Sequence, residues 1–156
     1  MNIGMTENGR MSVAAELARL LSDEYVLYTK TRRAHWNVEG MDFFAMHQFF
    51  EKQYEQLDGI IDDVAERIRA LGHQPPASLS AFLSMTQLSE EGAPNTNDSR
   101  SHLLLLLNDH ETIIRFLRAK ITQFAEEYND LGTSDFVTGL MQDHEKMVWM
   151  LRAHLK

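Results

Sequence analysis

All three prolines of this 156-residue chain fall between residues 73 and 98, and on each side of that stretch lie two long segments whose apolar residues recur every three or four positions. Connections of such length are unusual inside a compact domain, and this one splits the chain into two pairs of helices. In the first pair, Ser12 is placed to cap a helix carrying Val13, Leu17, Leu21, Tyr28 and Thr31 on one face and stopping before Gly40. Asp42 is placed to cap the second, which carries Phe43, Phe50, Leu57, Ile61, Val64 and Ile68 and ends at Gly72, ahead of Pro75 and Pro76. Within the connection, residues 81–88 are apolar enough for a short helix, and something must cover Phe82 and Leu83. Asn97 or Asp98 then opens a third helix with Leu103, Leu106, Leu107, Ile113, Ile114, Leu117, Ile121 and Phe124, fading over 129–132. Thr133 or Ser134 starts a fourth, with Phe136, Val137, Leu140, Met147, Val148 and Leu151. No stretch alternates like a strand. The chain reads as all-α, a four-helix bundle whose long crossover joins parallel helices.

A hydrophobic content of 44% suffices for one packed core, so residues 12–156 are expected to form a single domain behind a flexible tail, residues 1–11. The net charge of −8 repels nucleic acid and membrane phosphate and attracts metal cations. The absence of cysteine excludes thiolate metal sites, thiol nucleophiles and disulfides, leaving the chemistry to histidine, carboxylates and hydroxyls. Residues 1–11 have no secretory pattern and no segment approaches the roughly 20 apolar residues of a membrane span, which points to the cytoplasm.

The unusual feature of the second helix is a polar stripe. At about 100° per residue, His47, Glu51, Glu55, Asp58, Asp62 and Glu66 all fall within roughly 100° of arc. A solvated acidic face accounts for most such stripes, but this one begins with an imidazole and is flanked by Trp36, Phe44 and Phe50. His35 lies on the buried stripe of the first helix, twelve residues from His47 across the turn at Gly40. Two imidazoles beside carboxylates form a mixed nitrogen and oxygen set that suits iron or zinc.

His47 and Glu66 are nineteen residues apart, about 28 Å along a helix at 1.5 Å per residue, so one chain cannot bring both to one metal ion. Two copies of the helix packed antiparallel about a two-fold axis would pair 47 with 66 and 51 with 62, giving two equivalent sites per dimer. The alternative bundle site, built inside one subunit from Glu-x-x-His motifs, has no counterpart, because no histidine here follows a glutamate by three.

At this point the residues resemble a known family, the Dps proteins or mini-ferritins. The resemblance covers most of the chain and is carried by His35, Trp36, Asn37, Val38 and Gly40, then Phe44, His47, Phe50, Glu51 and Tyr54, then Asp62, Ala65, Glu66, Arg67, Ile68, Leu71, Gly72, Pro75 and Ser78. It implies a ferritin-like four-helix bundle with a short extra helix between helices 2 and 3. It also implies a ferroxidase centre made of His35, His47 and Glu51 from one subunit with Asp62 and Glu66 from its two-fold mate, Glu51 standing where the family often has Asp. The expected activity is oxidation of Fe²⁺, preferably by hydrogen peroxide and less efficiently by oxygen, with ferric mineral stored in a hollow dodecamer as protection against oxidative stress. Zinc is a possible substitute metal, and a zinc-binding relative without turnover and a DNA-protecting Dps are the alternatives.

Alignment of the last helix around Trp149 puts Asp135 where the family has a pore carboxylate, with Glu126 and Asp130 as neighbours, while Glu55 and Asp58 are candidates for seeding mineral. Trp36 beside His35 reads as a core residue more readily than as an electron donor. His73, His102, His110, His144 and His154 read as unclustered surface or core residues. Residues 1–11 hold one base, Arg10, and one acid, Glu7, and nothing basic extends past Lys156, so DNA binding is expected to be weak or absent.

Overall fold

The computed structural model describes residues 1–91 and 93–156. Helix α1 (Glu7–Asn37) returns on α2 (Phe43–Ala70), the crossover carries a short α3 (Leu79–Met85), and α4 (Ser99–Thr122) returns on α5 (Leu131–Ala153) through one π-helical turn at Gln123–Glu127. No strand occurs among the described residues.

The crossover sets the topology. Glu39 N–H donates to the Asn97 carbonyl at 2.8 Å, which puts the start of α4 beside the start of α2. At the other end Arg67 of α2 donates to Thr133 Oγ1 at 2.9 Å and to Asp130 Oδ1 at 3.2 Å, beside the start of α5. Helices α2 and α4 therefore run parallel, as a long crossover requires. Two buried charges of α1 tie the crossover down. Asp23 accepts from Thr86 Oγ1, Gln87 N and Gln87 Nε2 at 2.7, 2.8 and 2.7 Å, while Lys30 Nζ lies 2.5 Å from Asp109 and donates to the Ser89 carbonyl at 2.9 Å. Asp23→Asn keeps an acceptor for only part of this set, and we expect it to cost about 1 kcal/mol and to lower the melting temperature by about 2–4 °C; an unchanged melting curve would show that the crossover needs no anchor there.

Several element boundaries differ from the sequence expectation. Helix α1 starts at Glu7 and not after Ser12, because the Thr6 hydroxyl accepts from Gly9 N–H at 3.1 Å. The expected tail of residues 1–11 is thus helical over its second half, and Arg10 is buried, bonded to Glu7 and to the carbonyls of Met1 and Met5. Asp42 holds the N-cap position of α2, but its side chain makes no cap hydrogen bond. The short helix runs over Leu79–Met85 in place of 81–88: Ser78 caps it, and Asp23 draws Thr86 and Gln87 out of the helical path. Phe82 stacks on Tyr25 with ring centroids 4.4 Å apart, and Leu83 stays half exposed. Helix α5 opens at Leu131, ahead of Thr133 and Ser134, because the Asp130 carboxylate accepts from both Thr133 N and Thr133 Oγ1, at 2.9 and 2.5 Å.

The end of α2 follows the expectation. Gly72 adopts φ +90°, Gly72 N–H reaches the Arg69 carbonyl and His73 N–H the Ile68 carbonyl, at 2.9 and 3.2 Å, which is the Schellman pattern that a left-handed glycine permits. Val13, Leu20, Leu27, Phe50, Leu57, Val64, Ile113, Leu117 and Leu151 fill the centre of the bundle. No helix is long and apolar enough to cross a membrane among the described residues.

Candidate metal centre

The turn between α1 and α2 builds the site. Gly40 at φ +129° lets the chain reverse within a few residues, which side chains with a Cβ resist. The reversal lays the His35 and His47 rings on one another, centroids 3.7 Å apart and planes 21° from parallel. Each ring then bonds the backbone of the other residue: His35 Nδ1 lies 2.8 Å from the His47 carbonyl, and His47 Nδ1 lies 2.8 Å from the His35 carbonyl. A carbonyl only accepts, so each Nδ1 carries a proton, and in the neutral ring Nε2 is the atom that keeps the lone pair. Two oriented imidazole donors result, fixed in the tautomer that metal binding needs.

Glu51 lies one turn further along α2 and accepts from the Tyr54 hydroxyl at 3.3 Å. His35 is buried, His47 and Glu51 are half-buried, and Asp62, Glu66, Glu55 and Asp58 are exposed further along the same helix. Within one chain, no group of three or more His, Asp or Glu side chains is placed to hold a metal ion among the described residues. His35, His47 and Glu51 are brought to one end of the α1–α2 pair, and Asp62 and Glu66 are not brought to them. Trp36, expected in the core, is 66% exposed in the single chain, and Met41 and Phe44, across the same turn in sequence, are also exposed.

Of the acids considered for a pore, Glu126 and Asp135 are exposed. Asp130 is buried and fully engaged by Thr133 and Arg67, so its role is to start α5 and pin it to α2.

The reading of His110 and His144 as unclustered is corrected. His144 Nε2 lies 2.9 Å from Glu24 Oε1, His110 Nδ1 lies 2.8 Å from His144 Nδ1, and all three side chains are buried. Helices α1, α4 and α5 each contribute one member. The signal was present: each residue sits on its helix's apolar stripe, Glu24 three after Leu21, His110 three before Ile113 and His144 four after Leu140.

An all-α bundle with a long crossover and imidazole and carboxylate donors at the α1–α2 end defines a class of metal-handling bundles. The ferritin-like domain family matches residues 14–156. A DNA protection during starvation protein of Porphyromonas gingivalis is 36% identical over 151 residues, covering 97% of this chain and 93% of its own. An uncharacterized low temperature-induced protein of Nostoc sp. is 40% identical over 156 residues, covering all of this chain and 87% of that protein. The crystal structure of the Dps protein from Vibrio cholerae O1, described as a member of a broad superfamily of ferritin-like diiron-carboxylate proteins, superposes with a TM-score of 0.92 at 34% identity, covering 100% of this chain and 97% of that one. The chain belongs to the ferritin-like family and, within it, to the Dps proteins.

Proposed function

We propose that the protein binds Fe²⁺ between two copies of itself, oxidises it with hydrogen peroxide, and stores the ferric product inside a hollow dodecamer built from two-fold dimers. The observation that carries this reading is the reciprocal pair of bonds from His35 and His47 to each other's backbone carbonyls, which leaves both Nε2 atoms for a metal ion at the end of the helix pair where Glu51 also lies, one turn on along α2. A second copy of α2, turned antiparallel, supplies Asp62 and Glu66 to the same place, and the exposed Trp36, Met41 and Phe44 offer that copy apolar surface to cover. Imidazole and carboxylate donors hold Fe²⁺, and the hard carboxylate oxygens favour the oxidised ion. Two Fe²⁺ ions each give one electron, the peroxide O–O bond breaks, and two protons are taken up to release two waters, so no hydroxyl radical is formed.

Anaerobic titration with Fe²⁺ followed by addition of hydrogen peroxide tests this directly. We expect saturable Fe²⁺ binding and consumption of one peroxide per two Fe²⁺ in a particle of twelve subunits' mass. One peroxide per Fe²⁺ with radical release would remove the ferroxidase assignment, and binding of Zn²⁺ with no oxidation of Fe²⁺ would replace it with a metal store.

A further inference from the structure

Tyr54 stands one turn beyond Glu51 on α2, between the two helices that supply the site. Its hydroxyl donates to Glu51 Oε1 at 3.3 Å, and its ring meets His35 edge-on, centroids 5.2 Å apart at 78°. The Arg32 guanidinium carbon lies 4.1 Å from its ring centre. Arg32 is held in turn by a 2.9 Å bond from Nε to the Tyr28 hydroxyl, and Tyr28 packs edge-on against Tyr54 at 6.1 Å. One side chain therefore touches a donor on each helix and is itself clamped from α1. We propose, on the reading of the site given above, that Tyr54 is a positioning residue: it holds Glu51 in the rotamer that leaves the second carboxylate oxygen free to meet Fe²⁺.

Three rotatable bonds separate the Glu51 carboxylate from the backbone, and a half-buried carboxylate with no partner would sample several rotamers. A hydrogen bond to one oxygen selects among them and leaves the other oxygen as the metal donor. At 3.3 Å the bond is long for a hydroxyl on a carboxylate, so its contribution is orientation more than strength. Tyr54 can supply that orientation because its own ring has little freedom. Arg32 covers one face, and His35 and Tyr28 make edge-on contacts with it, all three from α1. The same contact with His35 couples the two donors, so a shift of Tyr54 moves both.

The test uses the full assembly and Co²⁺ alone as the probe, whose visible absorption reports donor number and geometry. Tyr54→Phe should bind Co²⁺ about tenfold more weakly, as loss of an outer partner of a metal ligand generally does, and with an altered absorption band, while particle mass and helical content stay unchanged. In a Glu51→Gln background the same Tyr54→Phe change should alter affinity less than twofold, since the anion it orients is gone. Equal affinity and an identical band in Tyr54→Phe and the parent would overturn the proposal, and so would a tenfold loss of equal size in both backgrounds. If the parent binds Co²⁺ no better than His35→Ala/His47→Ala, the site itself fails and the role of Tyr54 with it; if the parent binds through the histidines and Tyr54→Phe has no effect, only the positioning role falls.

Discussion

A chain carrying His35→Ala and His47→Ala will oxidise Fe²⁺ with peroxide more slowly than the parent by a factor on the order of a hundred or more, because losing a ligand costs at least as much as losing a ligand's outer partner. The fold should survive. Each substitution removes one ring-to-carbonyl bond at about 1 kcal/mol, so the pair should lower the melting temperature by about 4–8 °C. The sharper form of the experiment uses complementation. A second inactive chain, Asp62→Asn/Glu66→Gln, keeps the histidines and lacks the other half. If the site spans two subunits, a dimer containing one chain of each kind has one site with every ligand present and one that keeps Glu51 alone. Random co-assembly should then restore about a quarter of the parent activity, since half of the dimers are mixed and half of their sites are complete. A site contained in one subunit would restore nothing, and no recovery in co-assembled particles of correct mass would refute the shared site.

How much of this was legible in the sequence depends on the range of the interactions involved. The four helices and the crossover follow from apolar spacing, which integrates over many residues and tolerates local noise. Their ends follow from single side chains in competition. Thr6 caps α1 in place of Ser12, since Arg10 gains the Met1 and Met5 carbonyls once residues 7–11 are helical. Asp130 displaces Thr133 as the cap of α5 by binding that threonine's own N–H and hydroxyl. The polar stripe of α2 was visible because helical geometry alone generates it. The mutual locking of His35 and His47 was not, because it depends on the dihedrals of a turn whose shape Gly40 allows without dictating. The exposure of Trp36 has a related cause: whether a tryptophan on α1 is covered depends on what faces it, and the single chain covers little of it. The Glu24, His144 and His110 chain needed three apolar stripes from distant parts of the sequence to be superposed, and each polar residue taken singly looked like an ordinary satisfied core group.

That chain makes the bundle acid-sensitive. The Glu24 carboxylate accepts His144 Nε2–H at 2.9 Å, and His144 Nδ1 and His110 Nδ1, 2.8 Å apart, hold one proton between them. A second proton there would set two N–H groups against each other and put a cation inside an apolar core. Burial, with the neighbouring His144 as the lesser cause, holds His110 well below the ordinary imidazole range. In the unfolded chain His110 takes its proton at about pH 6.5. The unfolded state therefore binds more protons below that value, and the stability that neutral His110 contributes is present in full above about pH 6.5 and is lost as pH falls, at about 1.4 kcal/mol per pH unit. His102, lowered by burial and then by Arg33, acts in the same direction. Asp109 acts in the opposite one: burial raises its pKa against the pull of Lys30, so its share grows as pH falls toward the carboxylate range. Asp98, held down to about 2 by Thr96 and Ser101, keeps its charge throughout the window. His110→Asn separates these contributions, because an asparagine amide can still donate to His144 Nδ1 and cannot take up a proton. Chemical unfolding at fixed protein concentration between pH 7 and pH 5 should show the parent losing about 2 kcal/mol more than His110→Asn. Parallel stability curves for the two proteins across that range would mean that His110 is protonated equally in the folded and unfolded states, which its burial among apolar side chains on three helices should forbid.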